Sequence, residues 1–168
     1  MKSRNICIRK AQVADAERMI HLHFNAVHGI PENAYPQAVL LSWSPIPDSN
    51  RYEWMRDVVH SLSHLALVAE LGVEILAFSI CSLTDGFIQA IYVDPKFSGR
   101  GIGKDLLAYS ENNLLQAGFS TFKLNASINA VDFYRSMGYR VNAQTTQSLK
   151  DGSEMDCYEM QKTLAATA

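Results

Sequence analysis

Cysteine is scarce in this chain and never clustered. Cys7, Cys81 and Cys157 are the three in 168 residues, and no C-x-x-C pair is present. That spacing indicates neither a zinc knuckle nor a disulfide framework, and a reduced, cytoplasmic setting is the simplest reading. Net charge is also small. A formal −2 exerts no general pull on nucleic acid or on an anionic membrane, so any anion site has to be local. No apolar run approaches membrane-spanning length, and "MKSRNICIRK" lacks the apolar centre of a signal peptide. Repeats and low-complexity tracts are missing, and proline is thin except between Gly29 and Asn50, which hold four of the five.

What is present is an ordinary globular composition, 48% hydrophobic and 19% charged, at a length that suits one domain over residues 1–168. "NICIRK" reads as a strand. Asp15 is positioned to cap a helix whose apolar positions are Ala16, Met19, Ile20, Phe24 and Val27. The proline-rich stretch predicts a loop broken by one short helix from Pro36, and Arg51 to Leu62 predicts a further amphipathic helix. The period then changes. Leu65 to Glu70, Val73 to Leu83 and Phe87 to Val93 predict three antiparallel strands joined by turns at Gly72 and Gly86. A helix with Ile102, Leu106, Leu107 and Leu114 on one face follows and stops at Gly118. "STFKLN" is a strand, "AVDFYRSMG" a short helix and "YRVNAQTTQ" a strand, before the Asp151-Gly152 turn and a last strand from Met155 to Lys162. The order implies an α/β (α+β) domain, a mixed and mostly antiparallel sheet with helices on both faces.

The stretch "VDPKFSGRGIGKDLL" carries the chemistry. Glycines interleaved with cations at a helix start suit an anion: orphan N–H groups and the positive helix end face it, and Arg100 and Lys104 add charge. It is not a P-loop. With Gly103-Lys104 as the G-K, the first glycine would be Ser98 and the Ser/Thr would be Asp105. The dinucleotide pattern G-x-G-x-x-G fails as well, at Lys104 or at Leu106. Alone, the glycines also suit a plain strand-to-helix turn.

Read with its surroundings, "IQAIYVDPKFSGRGIGKDLL" resembles the acetyl-CoA-binding motif of the GNAT N-acetyltransferase superfamily. "NAVDFYRSMGY", Asn129 to Tyr139, resembles the family's second signature, and the order of elements matches over nearly the whole chain. The resemblance implies a GNAT fold, acetyl-CoA or CoA as co-substrate, and no metal. It implies that the amides of Gly99, Arg100, Gly101, Ile102, Gly103 and Lys104 hold the pyrophosphate. The backbone of Ile91 and Val93 would pair with the pantetheine arm, and Asn129 would bind from the other side. One position departs from the pattern: Ser98 stands where the family has Gln or Arg, which removes a long side chain from the phosphate wrap.

Acetyl transfer to an amine needs a neutral nitrogen and a proton for the leaving thiolate. An alkyl amine, with a pKa of about 10, is mostly protonated at neutral pH, so a base or water has to take a proton. The resemblance makes Tyr134 the catalytic acid; otherwise it is a packing aromatic beside Phe133. Gln89 stands on the cofactor strand where relatives sometimes carry an acid. His28, Glu32 and water remain as candidate bases, whereas His21, His23 and His60 lie on amphipathic helices. The acceptor site is expected over Phe24 to Trp54, with Tyr35, Trp43 and Trp54 as its aromatics. The expected partner is a small-molecule or peptide amine, with no nucleic acid or membrane, and a homodimer is compatible with this reading. The alternative is a GNAT-like module that binds CoA without catalysis. A cysteine nucleophile is disfavoured, since no cysteine sits in an activating motif.

Overall fold

Alternation in "HLALVAEL" leaves no polar face, so that strand needs cover on both sides. The computed structural model, which describes residues 6–165, supplies it. Strand β1 (Cys7–Lys10), β2 (His64–Leu71), β3 (Glu74–Ser82) and β4 (Ile88–Val93) form one antiparallel sheet in that order. Helices α1 (Ala16–His28) and α3 (Ser49–His60) cover one face, where Met19, Ile20, Leu22 and Met55 meet Val68, Phe78 and Ile80. Helix α4 (Ile102–Gln116) covers the other, seating Leu106, Leu107 and Leu114 against Leu67, Leu76 and Ala77. Burying each such side chain contributes about 1.5–3 kcal/mol.

A second sheet has the order β5 (Thr121–Ser127), β7 (Glu154–Thr163), β6 (Arg140–Ser148), all antiparallel. The expected single sheet is therefore two. Among the described residues side chains of both sheets share one apolar core, while their strands pair through one parallel bridge, Phe87 to Lys123. Beyond it β4 and β5 part. A break in register between Ile80 and Cys81, opposite Gln89, bends β4 where the separation begins. Helix α5 (Val131–Ser136) and short helix α2 (Gln37–Trp43) complete the molecule. The α1–α2 segment packs Tyr35 and Leu40 with Val27 and Met155, roofing the gap from the α1 side.

Local chemistry departs from expectation in four places. Asp15 precedes α1 but does not cap it: its carboxylate takes the Gln12 N–H at 2.7 Å and ion-pairs with Arg9 at 2.7 Å. Phe24 is half-buried, and Leu22 takes its place in the core. Helix α3 starts early because Asp48 accepts the Arg51 N–H at 2.9 Å, a true N-cap. It ends at His60, leaving Leu62 fully in solvent.

Candidate active site

β4 runs out at Asp94, which organises the turn toward α4. Its carboxylate is buried, accepts the Lys96 N–H at 3.1 Å and pairs with Arg18 at 2.8 Å. Burial alone would raise its pKa, but the Arg18 and Lys96 bonds outweigh that and hold it below the usual carboxylate value. One 3₁₀ turn later the chain passes through Gly99 and Gly101 at φ +73° and +82°, a left-handed backbone that side chains with a Cβ rarely adopt. A Cβ added at either meets no protein atom within 4 Å, so the space above the turn is free for a ligand. Gly103 differs. Its backbone is helical, and an added Cβ would come 3.4 Å from Val93 and 3.6 Å from Phe133. The first α-helical bond is Asp105 N–H to Gly101 C=O at 3.0 Å, so the preceding amides stay free for an anion.

This turn is one end of a cleft of about 610 Å³ between the diverging strands. The Asp94 N–H donates to Leu76 C=O at 2.8 Å. Antiparallel alternation then turns Tyr92 and Ala90 toward β3, and the main-chain groups of Ile91 and Val93 toward the open edge. Ser98, Gly99, Gly101, Ile102, Gly103 and Lys104 line the cleft, as do Ile91 and Val93. Asn129 lines it from the β5 side, on a 3₁₀ turn over residues Ile128–Ala130. The side chain of Arg100 points elsewhere: its guanidinium bonds Lys96 C=O at 3.2 Å and lies 5.3 Å from the Phe97 ring. Buried Tyr35 ties the Asn129 turn down. Its hydroxyl donates to Asp156 C=O at 2.6 Å and accepts the Ile128 N–H at 2.8 Å.

A smaller cavity of about 70 Å³ opens from the same strands. Its polar lining comes from Gln89 on β4, Asn125 and Ser127 on β5 and Gln147 on β6; Trp43 and Met155 add apolar surface. Of the three expected aromatics, Trp43 alone lines it. Tyr35 is the buried tie, and Trp54 faces outward beneath the Lys150 ammonium at 5.0 Å. The segment from Phe24 to Trp54 gives Trp43 to this cavity and Ala26, Gly29, Ile30, Pro31 and Trp43 to the larger cleft, while three strands supply the small cavity's hydrogen-bonding groups. Those polar positions do alternate with buried Leu124 and Ala126 in β5, a signal that they share a face but not that the face lines a cavity.

Tyr134 belongs to both cavities. Its ring is buried, more deeply than that of Phe133, and packs edge-on against Phe133 and Tyr139. Burial pushes the phenol well above its ordinary pKa, so it is protonated throughout the neutral range. Among the described residues no carboxylate or imidazole lines either cavity. His28 lies on α1 with Nε2 donating to Ser44 C=O at 2.8 Å, and Glu32 is exposed on the following loop; both are outside the two linings. Burial raises the Cys81 thiol to about 12, and burial with Asp156 nearby raises Cys157, which leaves neither an activated nucleophile. No group of three or more potential metal ligands occurs among the described residues.

Solved structures share this architecture. A Rhodopseudomonas palustris protein described as a GCN5-related N-acetyltransferase and class-II aminotransferase superposes with TM-score 0.87 at 21% identity, covering 98% of this chain and 99% of its own. The PaiA N-acetyltransferase of Thermoplasma acidophilum, in complex with coenzyme A, gives 0.74 at 19% identity over 95% and 99%. YncA of Salmonella typhimurium, with acetyl-CoA, gives 0.71 at 24% identity over 98% and 96%. At such identities the likeness is one of fold. Sequence goes further, because residues 48–164 match the family described as acetyltransferase (GNAT) domain. By that match over most of its length, the chain belongs to the GNAT acetyltransferase family.

Proposed function

We propose that the protein transfers an acetyl group from acetyl-CoA to a primary amine of a small molecule or peptide. One observation carries the reading: a cleft with an anion cradle at one end shares a wall with a second cavity, and the Tyr134 phenol lines both, with Tyr92 beside it. The residues fit the co-substrate. The amides from Gly99 to Lys104, including the main chain of Arg100, would hold its pyrophosphate, with Ser98 and Lys104 beside them. Ile91 and Val93 would bond its pantetheine amides, and Asn129 would approach from the opposite strand.

The transfer follows from this placement. The neutral amine nitrogen bonds to the acetyl carbon while the carbon–sulfur bond breaks. Water takes the proton that the nitrogen sheds, since among the described residues no carboxylate or imidazole lines the site. Tyr134 donates its phenolic proton to the departing sulfur and regains one from solvent. The chain's own contribution is to align the two reactants and exclude bulk water around the sulfur.

The test is thiol release from acetyl-CoA on adding amines, alongside calorimetry with CoA, ATP and NAD. Amine-dependent thiol release with CoA-selective binding is expected. Saturable CoA binding with no amine-dependent release would establish the non-catalytic module instead.

A further inference from the structure

We infer that the acceptor is an α-amino amide, the uncharged aminoacyl end of a peptide or peptide-like amine, held by the second cavity. The inference rests on the transferase reading above and names the substrate class of that site. Two independent observations lead to it.

The first is the chemistry of the lining. Gln89, Asn125, Ser127 and Gln147 bring three carboxamides and a hydroxyl to one small space. Among the described residues, none of the four side chains forms a hydrogen bond with another protein group, so their donors and acceptors remain available. Every other polar group there is uncharged as well: the Tyr92 and Tyr134 phenols, the Trp43 indole and the Cys157 thiol. Gln89, Asn125 and Gln147 are exposed at the cavity mouth; Glu159, exposed beside Asn125 across the β5–β7 ladder, bonds Asn142 at 3.4 Å and does not line the cavity. A second ammonium on the acceptor would find no carboxylate here, and a carboxylate would find no cation. A carboxamide finds complementary carboxamides. A volume of about 70 Å³ is room for a few non-hydrogen atoms, the size of one aminoacyl end and not of a longer amine.

The second observation is the lack of a base in the linings. Electron withdrawal by a neighbouring amide carbonyl lowers the basicity of an α-amine. At pH 7.5 an amine of pKa about 8 is roughly one-quarter neutral, against about one in a thousand for an alkyl amine of pKa about 10.4. A site without a carboxylate or imidazole therefore suits the α-amine.

Four amines sharing the frame H₂N–CH(CH₃)–X separate these demands: alaninamide, alanine, 1,2-diaminopropane and 3-methylbutan-2-amine. Their kcat/KM values are compared per neutral amine, so that basicity and recognition are read separately. Alaninamide should exceed each of the others at least about tenfold, the scale on which unpaired polar groups discriminate. Gln147→Glu should narrow the preference over 1,2-diaminopropane by about threefold, as an exposed carboxylate beside an ammonium would. Equal or better use of alanine, the diamine or the apolar amine would overturn the inference. So would failure of all four amines with CoA binding intact, which leaves the cofactor site standing. Failure to bind CoA at all would instead overturn the transferase reading.

Discussion

The two cavities that share Tyr134 differ in what they present. The large cleft presents main chain: the free amides of one glycine turn and the unpaired edge of β4. The small cavity presents side chains, brought together from β4, β5 and β6. Main-chain recognition constrains residue type at consecutive positions of one loop, because only certain residues permit the backbone. Side-chain recognition constrains scattered positions weakly, and each can change without disturbing the fold. One side of such a molecule can therefore stay fixed on its ligand while the other side varies.

Removing the Tyr134 hydroxyl, which both sides share, should have the largest effect. Tyr134→Phe keeps the ring packing and should lower kcat, with general-acid help typically worth about 10²- to 10⁴-fold. KM for acetyl-CoA should stay near the wild-type value. Steady-state kinetics on both variants decide it, and a rise in KM alone would make the hydroxyl a cofactor ligand and not the acid.

The main-chain side can be tested against itself. Gly101→Val forces a branched residue into φ +82° and into the open cradle, at a cost of about 1–2 kcal/mol for the backbone alone. That strain should appear as lost stability, while CoA affinity should fall by about tenfold or more because the side chain occupies the cradle and shifts its amides. Gly103→Ala sits on ordinary helical backbone, where the change from glycine is worth about 0.5–1 kcal/mol of stability, offset by the 3.4 Å contact with Val93. Calorimetry should show the first weakened strongly and the second little changed.

Tyr35→Phe probes the tie between the walls. It strands the Ile128 N–H, a loss of about 1–3 kcal/mol in stability, and should raise KM for acetyl-CoA through the Asn129 turn. Urea unfolding and kinetics read the two parts. A pH effect on stability belongs to α1. His23 accepts from Arg51 at 3.0 Å and from the Ser44 hydroxyl at 3.1 Å. Burial first, then the Arg51 charge, lowers its pKa to about 3 from an unfolded value of 6.5. The unfolded chain therefore binds a proton that the folded one refuses, and stability is lost progressively as pH falls from about 6.5 toward 3. His23→Gln should flatten that acid slope in melting temperature. The smallest change is expected for Arg100→Ala, since the guanidinium is turned to Lys96 and Phe97. CoA affinity should move less than about threefold, the scale of an exposed charge.

These contrasts explain what could be read in advance. The glycine turn was legible because Gly99 and Gly101 occupy a backbone region that bars most other residues, and the strands were legible by their apolar periods. The parting of β4 from β5 was not, since a two-residue period records faces and carries no information about which edges pair. Asn125, Ser127 and Gln147 were opaque for the same reason, and Gln89 was legible on the cofactor strand but not as part of a wall shared with them. Arg100 shows a third limit. The sequence sets a cation beside the cradle but not its rotamer, and here the guanidinium bonds the Lys96 carbonyl and lies over Phe97. The cap at Asp48 was overlooked because the apolar pattern of α3 begins after the residues that start it.

The middle place of β7 in its sheet has a consequence for the order in which the molecule can be made. β5 and β6 have no ladder partner other than β7 among the described strands, and β7 ends at Thr163. During synthesis, at roughly 5–20 residues per second, the four-stranded sheet and α4 can condense while β5 and β6 still lack that partner. The glycine turn is therefore in place before the wall bearing Asn125, Ser127 and Gln147 exists. A chain stalled short of β7 would display an anion cradle with nothing opposite it, and the last ten-residue strand to emerge turns a one-sided surface into a cleft.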